Sequence, residues 1–302
     1  MYFTFIRYRK IFYAISILLV FLSVLSIAFF GLELGIDFTG GTLLEVSYQE
    51  SAPLSGEIKE KLSDLDLGEV IVRKIGDNGI ILKMKVVDET LHQQIIERMG
   101  ELGRIEEGSE GFQTIGPIIG QELKKKTKIV VSMALVAILL YIAFSFRKIS
   151  RPVKSYVYGV TGVIALFHDV LIPLGVFAIL GKFYGIEITI PVITAFLTVF
   201  GYSINDSVVV FDRVRENLLR SHIPTFELIV EKSLNQTLIR SLNISFTTLF
   251  VLFTIFFFGG ESLKYFSLAL ILGITLGTYS SLFLATPLLV SYYEFRQRKY
   301  KK

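Results

Sequence analysis

Six stretches of this chain are long and apolar enough to cross a bilayer, and no other feature limits the fold as strongly. The first, Ile11 to Phe30, contains no charged residue. The others lie at about 129–146, 156–180, 189–211, 238–258 and 265–292. A hydrocarbon core about 30 Å thick needs roughly 20 such residues of helix. In lipid each backbone N–H and C=O must find its partner within the protein, so runs of this length form helices. The sequence therefore predicts a polytopic α-helical membrane protein with six transmembrane helices. Its 52% hydrophobic content and mean hydropathy of +0.59 exceed those of ordinary soluble domains.

Several chemistries are excluded at once. The chain has no cysteine, hence no disulfide, no thiolate and no cysteine-ligated metal. Its three histidines, His92, His168 and His222, are far apart and form no zinc set, so neither metal nor cofactor is expected. HExxH, nucleophile-elbow and P-loop signatures are missing, which argues against an enzyme. The net charge of +4 comes largely from residues flanking the apolar runs and does not imply nucleic acid.

Those flanking charges set an orientation. Arg7, Arg9 and Lys10, then RKISRPVK (147–154), Arg213, Arg215, Arg220 and Lys232, then RQRKYKK all fall on one side. The opposite short loops carry only Lys182 and Lys264. The positive-inside rule makes the first side cytoplasmic, with both termini there, and the first span is too long for an ordinary signal peptide. KKKTK (124–128) falls on the outer side, but it follows a long translocated domain, where the rule weakens.

The chain divides into residues 1–30 (cytoplasmic start and first span), 31–125, a five-helix region 126–293 and a basic tail 294–302. Segment 31–125 is charged throughout and has short periodic patterns. TLLEV reads as a strand and SGEIKEKLSDL (55–65) as a helix opened by Ser55. EVIVRKI (69–75) and IILKMKV (80–86) flank an Asp77-Asn78-Gly79 turn. Asp88 can cap the next helix, and GFQTIGP supplies a last strand. The order β-α-β-β-α-β is the ferredoxin-like pattern of an α+β domain. His92 is expected on the surface of its helix.

Charges inside the apolar runs stand out, because a central Asp or Arg costs about 2.5–3.5 kcal/mol to insert. At about 1.5 Å per residue, Asp206 lies roughly 25 Å along its span from Thr189. Thr194, Thr198, Tyr202 and Asp206 share a face at i, i+4 spacing, bordered by Asn205. That stripe is expected to face a bundle interior. The next span carries Gln236, Arg240, Asn243 and Thr247 on one face, so an Asp206–Arg240 ion pair is expected, either as a static tie or as a proton-relay element. His168 and Asp169 sit midway along the third span, ahead of Pro173 and Gly175, which can free backbone carbonyls. The glycines of GITLG (273–277) are expected to permit close helix contact.

GIDFTGGTLLEV (35–46), LFHDV and GYSINDSVVVFDRVREN together resemble the SecF family, the smaller subunits of bacterial SecDF protein-export complexes in the wider RND superfamily. The resemblance spans nearly the whole chain. It implies a cytoplasmic (inner) membrane subunit that pairs with SecD, assists the SecYEG channel and handles unfolded exported polypeptide using proton or sodium flow. By resemblance Asp206 is the ion-coupling carboxylate and Arg240 its partner, while Asn205 and Asp169 lie in family motifs with less defined roles. Gly35, Asp37, Gly40 and Gly41 form the signature beside the first span, read either as a joint or as a rigid turn. The rival classes are a half-size RND exporter and a scaffold or insertion factor without ion coupling.

Overall fold

The computed structural model describes residues 3–145, 152–220 and 225–300. His222 and most of the basic loop after the second span, Arg147, Lys148 and Arg151, lie outside the described residues. The chain forms two compact units, one of Met1–Glu33 with Val130–Lys302 and one of Leu34–Ile129.

Helix α1 (Arg9–Phe30) opens the first unit. The second unit starts with a single turn, α2 (Ile36–Thr39), and continues with β1 (Gly41–Ser47), α3 (Ser55–Lys61), β2 (Ile71–Ile75), β3 (Gly79–Met84), α4 (Glu89–Gly100) and β4 (Gly111–Ile115). The sheet order is β2-β3-β1-β4, with every neighbouring pair antiparallel. Alternation along β1 and β3 puts Leu44, Val46, Ile80 and Leu82 on one face. They pack with Ile58 and Leu62 of the α3 segment and with Ile95 and Met99 of α4. Asp88 caps α4 as expected, accepting from Leu91 N at 2.9 Å.

Ser55 opens α3 as expected, and the Leu54 N–H ahead of it donates to Glu57 Oε2 at 3.0 Å. Two other local expectations need correction. In the hairpin the left-handed residue is Gly76 (φ 60°), so the loop spans residues 76–78. His92 is buried, 4% exposed, because β4 lays Phe112 over its ring with centroids 3.9 Å apart. Its Nδ1 lies 3.3 Å from Glu89 Oε1 and its Nε2 2.6 Å from Glu110 Oε1, the latter without hydrogen-bond alignment.

The remaining helices are α5 (Pro117–Ser145), α6 (Ser155–Tyr184), α7 (Ile190–Arg220), α8 (Phe226–Phe258), α9 (Glu261–Ser280) and α10 (Thr286–Tyr300); a π-turn, Ser281–Ala285, joins the last two. Among the described residues five segments are long and apolar enough to span a membrane: Arg9–Phe30, Ser155–Tyr184, Ile190–Arg220, Phe226–Phe258 and Leu263–Lys299. The chain is a multi-pass membrane protein. The segment expected to link the fourth and fifth spans is mostly helical, α7 continuing to Arg220 and α8 starting at Phe226 behind a Thr225 cap.

Small residues set the helix spacing. In α1 the buried positions are Ser16, Ser23 and Ser26. A Cβ on Gly175 of α6 would stand 2.6 Å from Ser23 Cα, and Ser26 Oγ donates to the Gly175 carbonyl at 2.8 Å. Such approaches are how helices gain van der Waals contact where lipid offers no hydrophobic drive. Ahead of α1 the N-terminal segment is tied to α8. Glu231 accepts from the N–H groups of Phe5 (2.6 Å) and Ile6 (2.9 Å), and Asn235 exchanges two bonds with the Phe3 backbone.

Candidate functional site

Among the described residues three carboxylates lie buried within the helical unit; Glu231 is bound by the N-terminal backbone, and Asp206 and Asp169 are held by serine hydroxyls. Asp206 of α7 is 8% exposed. Its Oδ1 accepts from Ser241 Oγ of α8 and its Oδ2 from Ser281 Oγ of the π-turn, both at 2.6 Å. Asp169 of α6 is fully buried. Its Oδ1 faces His168 Nδ1 at 2.9 Å, and its Oδ2 accepts from Ser203 of α7 and Ser280 of α9, both at 2.6 Å. A third cluster adjoins them, in which Ser245 Oγ meets Tyr202 OH at 2.9 Å and Thr278 Oγ1 at 2.5 Å.

The backbone makes room for this. A Cβ on Gly277 would lie 3.2 Å from Ser203 Cβ, and one on Gly273 would overlap the Val199 side chain. The GITLG glycines thus let α9 lie against α7, as expected, which brings Ser280 and Ser281 to the acids. Pro173 lacks the N–H that would serve the carbonyl four residues earlier, that of Asp169. The π-turn begins at Ser281, and Thr286 Oγ1 donates to the Ser281 carbonyl at 2.8 Å. Such turns occur often at functional sites.

The expected Asp206–Arg240 ion pair is not formed among the described residues. Both oxygens of Asp206 are taken by serines, and Arg240 is exposed. The cause is helix rotation. Successive residues point about 100° apart, so once α8 turns Ser241 inward, Arg240 points aside. The arginine stays within electrostatic range of Asp206, as does Asp169. The polar stripe is divided as well. Tyr202 and Asp206 turn inward, but Thr194, Thr198 and Asn205 are exposed, and both threonines bond back to their own helix. Asn243 and Thr247 of α8 are exposed too.

Histidine 168 lies against Tyr279, centroids 5.9 Å apart, with its Nε2 buried and unpartnered among the described residues. The signature residues belong to the smaller unit. Gly35 precedes α2 with an ordinary φ of −68°, and Asp37 is buried. Gly40 (φ 74°) and Gly41 (φ 129°) adopt conformations that side chains resist, and added Cβ atoms would stand 2.7 Å from Pro117 Cα and 2.8 Å from the Met84 carbonyl.

Sequence reading missed Ser203, Ser241, Ser280 and Ser281. The available signal was adjacent serines inside an uncharged run, and a serine one turn before the acid. The family model for the SecD/SecF protein-export membrane protein C-terminal region matches residues 94–295, and the SecD/SecF GG motif matches 25–52. The chain belongs to the SecF family. The protein translocase subunit SecF of Thermobaculum terrenum is 39% identical, covering 95% of this chain and 93% of its own. That of Anaerolinea thermophila is 35% identical, covering 93% and 91%. The crystal structure of SecDF, a translocon-associated membrane protein from Thermus thermophilus, superposes with a TM-score of 0.83 at 31% identity. That match covers 97% of this chain but 39% of the SecDF chain, so a SecF relative accounts for about two fifths of that structure.

Proposed function

We propose that this protein is a non-enzymatic, cofactor-free SecF-type subunit that assists Sec-dependent translocation across the cytoplasmic membrane by coupling ion flow at Asp206 to movement of its outer domain. The observation that carries this reading is the Asp206 carboxylate, buried among membrane-length helices and held by two hydroxyls. Ionisable groups at such depth are costly, and ion pathways are a common reason for keeping them. In this reading the chain has six transmembrane helices with both termini cytoplasmic, and residues 31–125 form an outer domain of ferredoxin-like type. Its element order and β2-β3-β1-β4 sheet support that assignment. Residues 1–30 hold the cytoplasmic start and first span, 126–293 the other five, and 294–302 the tail.

The reading gives the chain a SecD-type partner. Thr194, Thr198 and Asn205 of α7, with Arg240, Asn243 and Thr247 of α8, are exposed on membrane-spanning helices, where lipid offers them no hydrogen bonds. A second membrane subunit seated on that face would cover them and supply further carboxylates, with Arg240 providing the opposite charge nearby. SecYEG and the unfolded exported chain are the other partners. Each charge crossing about 100 mV supplies roughly 2.3 kcal/mol, enough to shift a two-state balance about fiftyfold. The close packing around Gly40 and Gly41 favours a stiff joint over a free hinge.

The test is Asp206→Asn in the intact export complex. Gradient-stimulated export falls to the level seen without a gradient, at unchanged expression and assembly. Stimulation that survives both this substitution and collapse of the gradient would point to a passive scaffold. Gradient-driven efflux of small molecules without effect on export would point to an exporter.

A further inference from the structure

The Asp206 reading leaves a second carboxylate, Asp169, without a task. It is more deeply buried than Asp206 and has three hydrogen-bond partners, which satisfies an ionised carboxylate. The two acids share their surroundings through consecutive residues: Ser280 donates to Asp169 and Ser281 to Asp206. Each of these hydroxyls also has a second acceptor in reach. Ser280 Oγ lies 3.2 Å from the Gly277 carbonyl, and Ser281 Oγ lies 3.1 Å from the Thr278 carbonyl.

We propose that Asp169 is a second proton-binding carboxylate, coupled to Asp206 through the neighbouring hydroxyls of Ser280 and Ser281 where the π-turn begins. This rests on the ion-coupled reading of Asp206. When Asp169 is ionised, Ser280 donates to Oδ2. When a proton binds Oδ2, the new O–H becomes the donor and Ser280 Oγ the acceptor. The serine hydrogen then turns to the Gly277 carbonyl. One proton is gained by the carboxylate and none is lost by the serine; the Asp–Ser hydrogen bond reverses its direction and the serine donates to the carbonyl instead. Asp206, Ser281 and the Thr278 carbonyl repeat the same exchange.

The two exchanges act on one stretch of main chain. The Gly277 carbonyl that would receive the Ser280 hydrogen already accepts the Ser281 N–H. This second donor on the same carbonyl weakens the last α-type bond before the π-turn, and Ser281 is the residue that holds Asp206. Protonation of one acid thereby alters the donor available to the other. In this proposal the π-turn is the element that switches: returning it to α geometry would rotate the residues on one side by about 100° relative to the other and take one serine off its acid. His168 adds a donor to Asp169 that this exchange leaves in place. Among the described residues, the other titratable or charged groups near the pair are Tyr202 of α7, Arg240 of α8 and Tyr279 of α9.

The experiment uses the full chain in its membrane complex, carrying Asp169→Asn, Ser280→Ala or Ser281→Ala, with Asp206→Asn as reference. Infrared difference spectra after a pH jump count the carboxyl groups that titrate, and gradient-driven export is followed across pH in the same preparations. Among the buried carboxyls that titrate in the unaltered protein, one band is expected to be lost in Asp169→Asn and a different one in Asp206→Asn. Ser280→Ala should shift the band of the group lost in Asp169→Asn and also move the midpoint of the Asp206 group. Driven export should fall roughly tenfold or more in Asp169→Asn, the equivalent of about 1.4 kcal/mol. If Asp169→Asn keeps normal export and both carboxyl bands while Asp206→Asn loses export, the proposal is overturned and the Asp206 reading stands. If Asp206→Asn is itself active, that reading fails first. Should Asp169→Asn fail to accumulate, Ser280→Ala decides, since it keeps the carboxylate. Unchanged bands and an unchanged pH profile there overturn the proposal.

Discussion

Substituting Gly273 with alanine probes how the site is built without touching either acid. The new Cβ would overlap Val199 Cγ2 and stand 2.7 Å from Cγ1. Ordinary carbon contacts lie at about 3.5–4.0 Å, so α9 must move off α7 by about 1 Å or more. Val199 cannot yield easily, because a β-branched residue in a helix has one strongly preferred rotamer. Ser280 lies two turns further along α9, and its 2.6 Å bond to Asp169 would stretch to roughly 3.6 Å, beyond hydrogen-bonding range. The 2.6 Å bond from Ser281 to Asp206 is exposed to the same shift. Overpacking costs about 1–3 kcal/mol and a hydrogen bond to a charged group about 1.5–3 kcal/mol. Loss of one such bond, about 2 kcal/mol, lowers the population of the intact site roughly 30-fold. Gly273→Ala should therefore insert and assemble, yet melt at a lower temperature in detergent and lose tenfold or more of driven export. Val199→Ala should restore most of the loss by removing the obstructing methyl groups. A Gly273→Ala protein with normal melting and normal export would refute the reasoning, as would a failure of the second substitution to rescue.

Three further outcomes are expected. Gly40→Ala combines a left-handed backbone with a close approach to Pro117, so it should destabilise the smaller unit by about 1–3 kcal/mol, seen as faster hydrogen exchange at residues 38–47 of the full chain. Asp88→Ala removes the cap of α4 and should cost about 1 kcal/mol, read as faster exchange over its first turn only. Glu231→Ala leaves the Phe5 and Ile6 N–H groups without their acceptor, so protease should cut the N-terminal segment sooner while α1 remains inserted.

What could be read in the sequence depended on the range over which each feature is decided. The spans follow from local composition, and the Asp88 cap and the 71–84 hairpin from a few adjacent residues. Asp206 was conspicuous because a carboxylate in an apolar run has few explanations. Its partners were not, because facing is set by the rotation of each helix. One residue of difference on α8 replaces Arg240 by Ser241. Serines in a hydrophobic run look neutral until a neighbouring helix brings an acceptor, and a π-turn leaves no compositional trace. His92 failed for a related reason, since the ring that covers it comes from β4, and only strand pairing brings that ring near.

The clamp on residues 3–6 also orders events in time. Those residues are made before their acceptors, Glu231 and Asn235, which lie more than 220 positions later. The first span must therefore enter the membrane with the segment ahead of it still undocked, whereas α1 can meet α6 as soon as Gly175 is made. Long-range closures of this kind form late, after the loops they span have been ordered. The contact through Phe5 is then a marker of completed assembly, and a fusion attached ahead of Phe3 would disturb the last step of folding rather than the first.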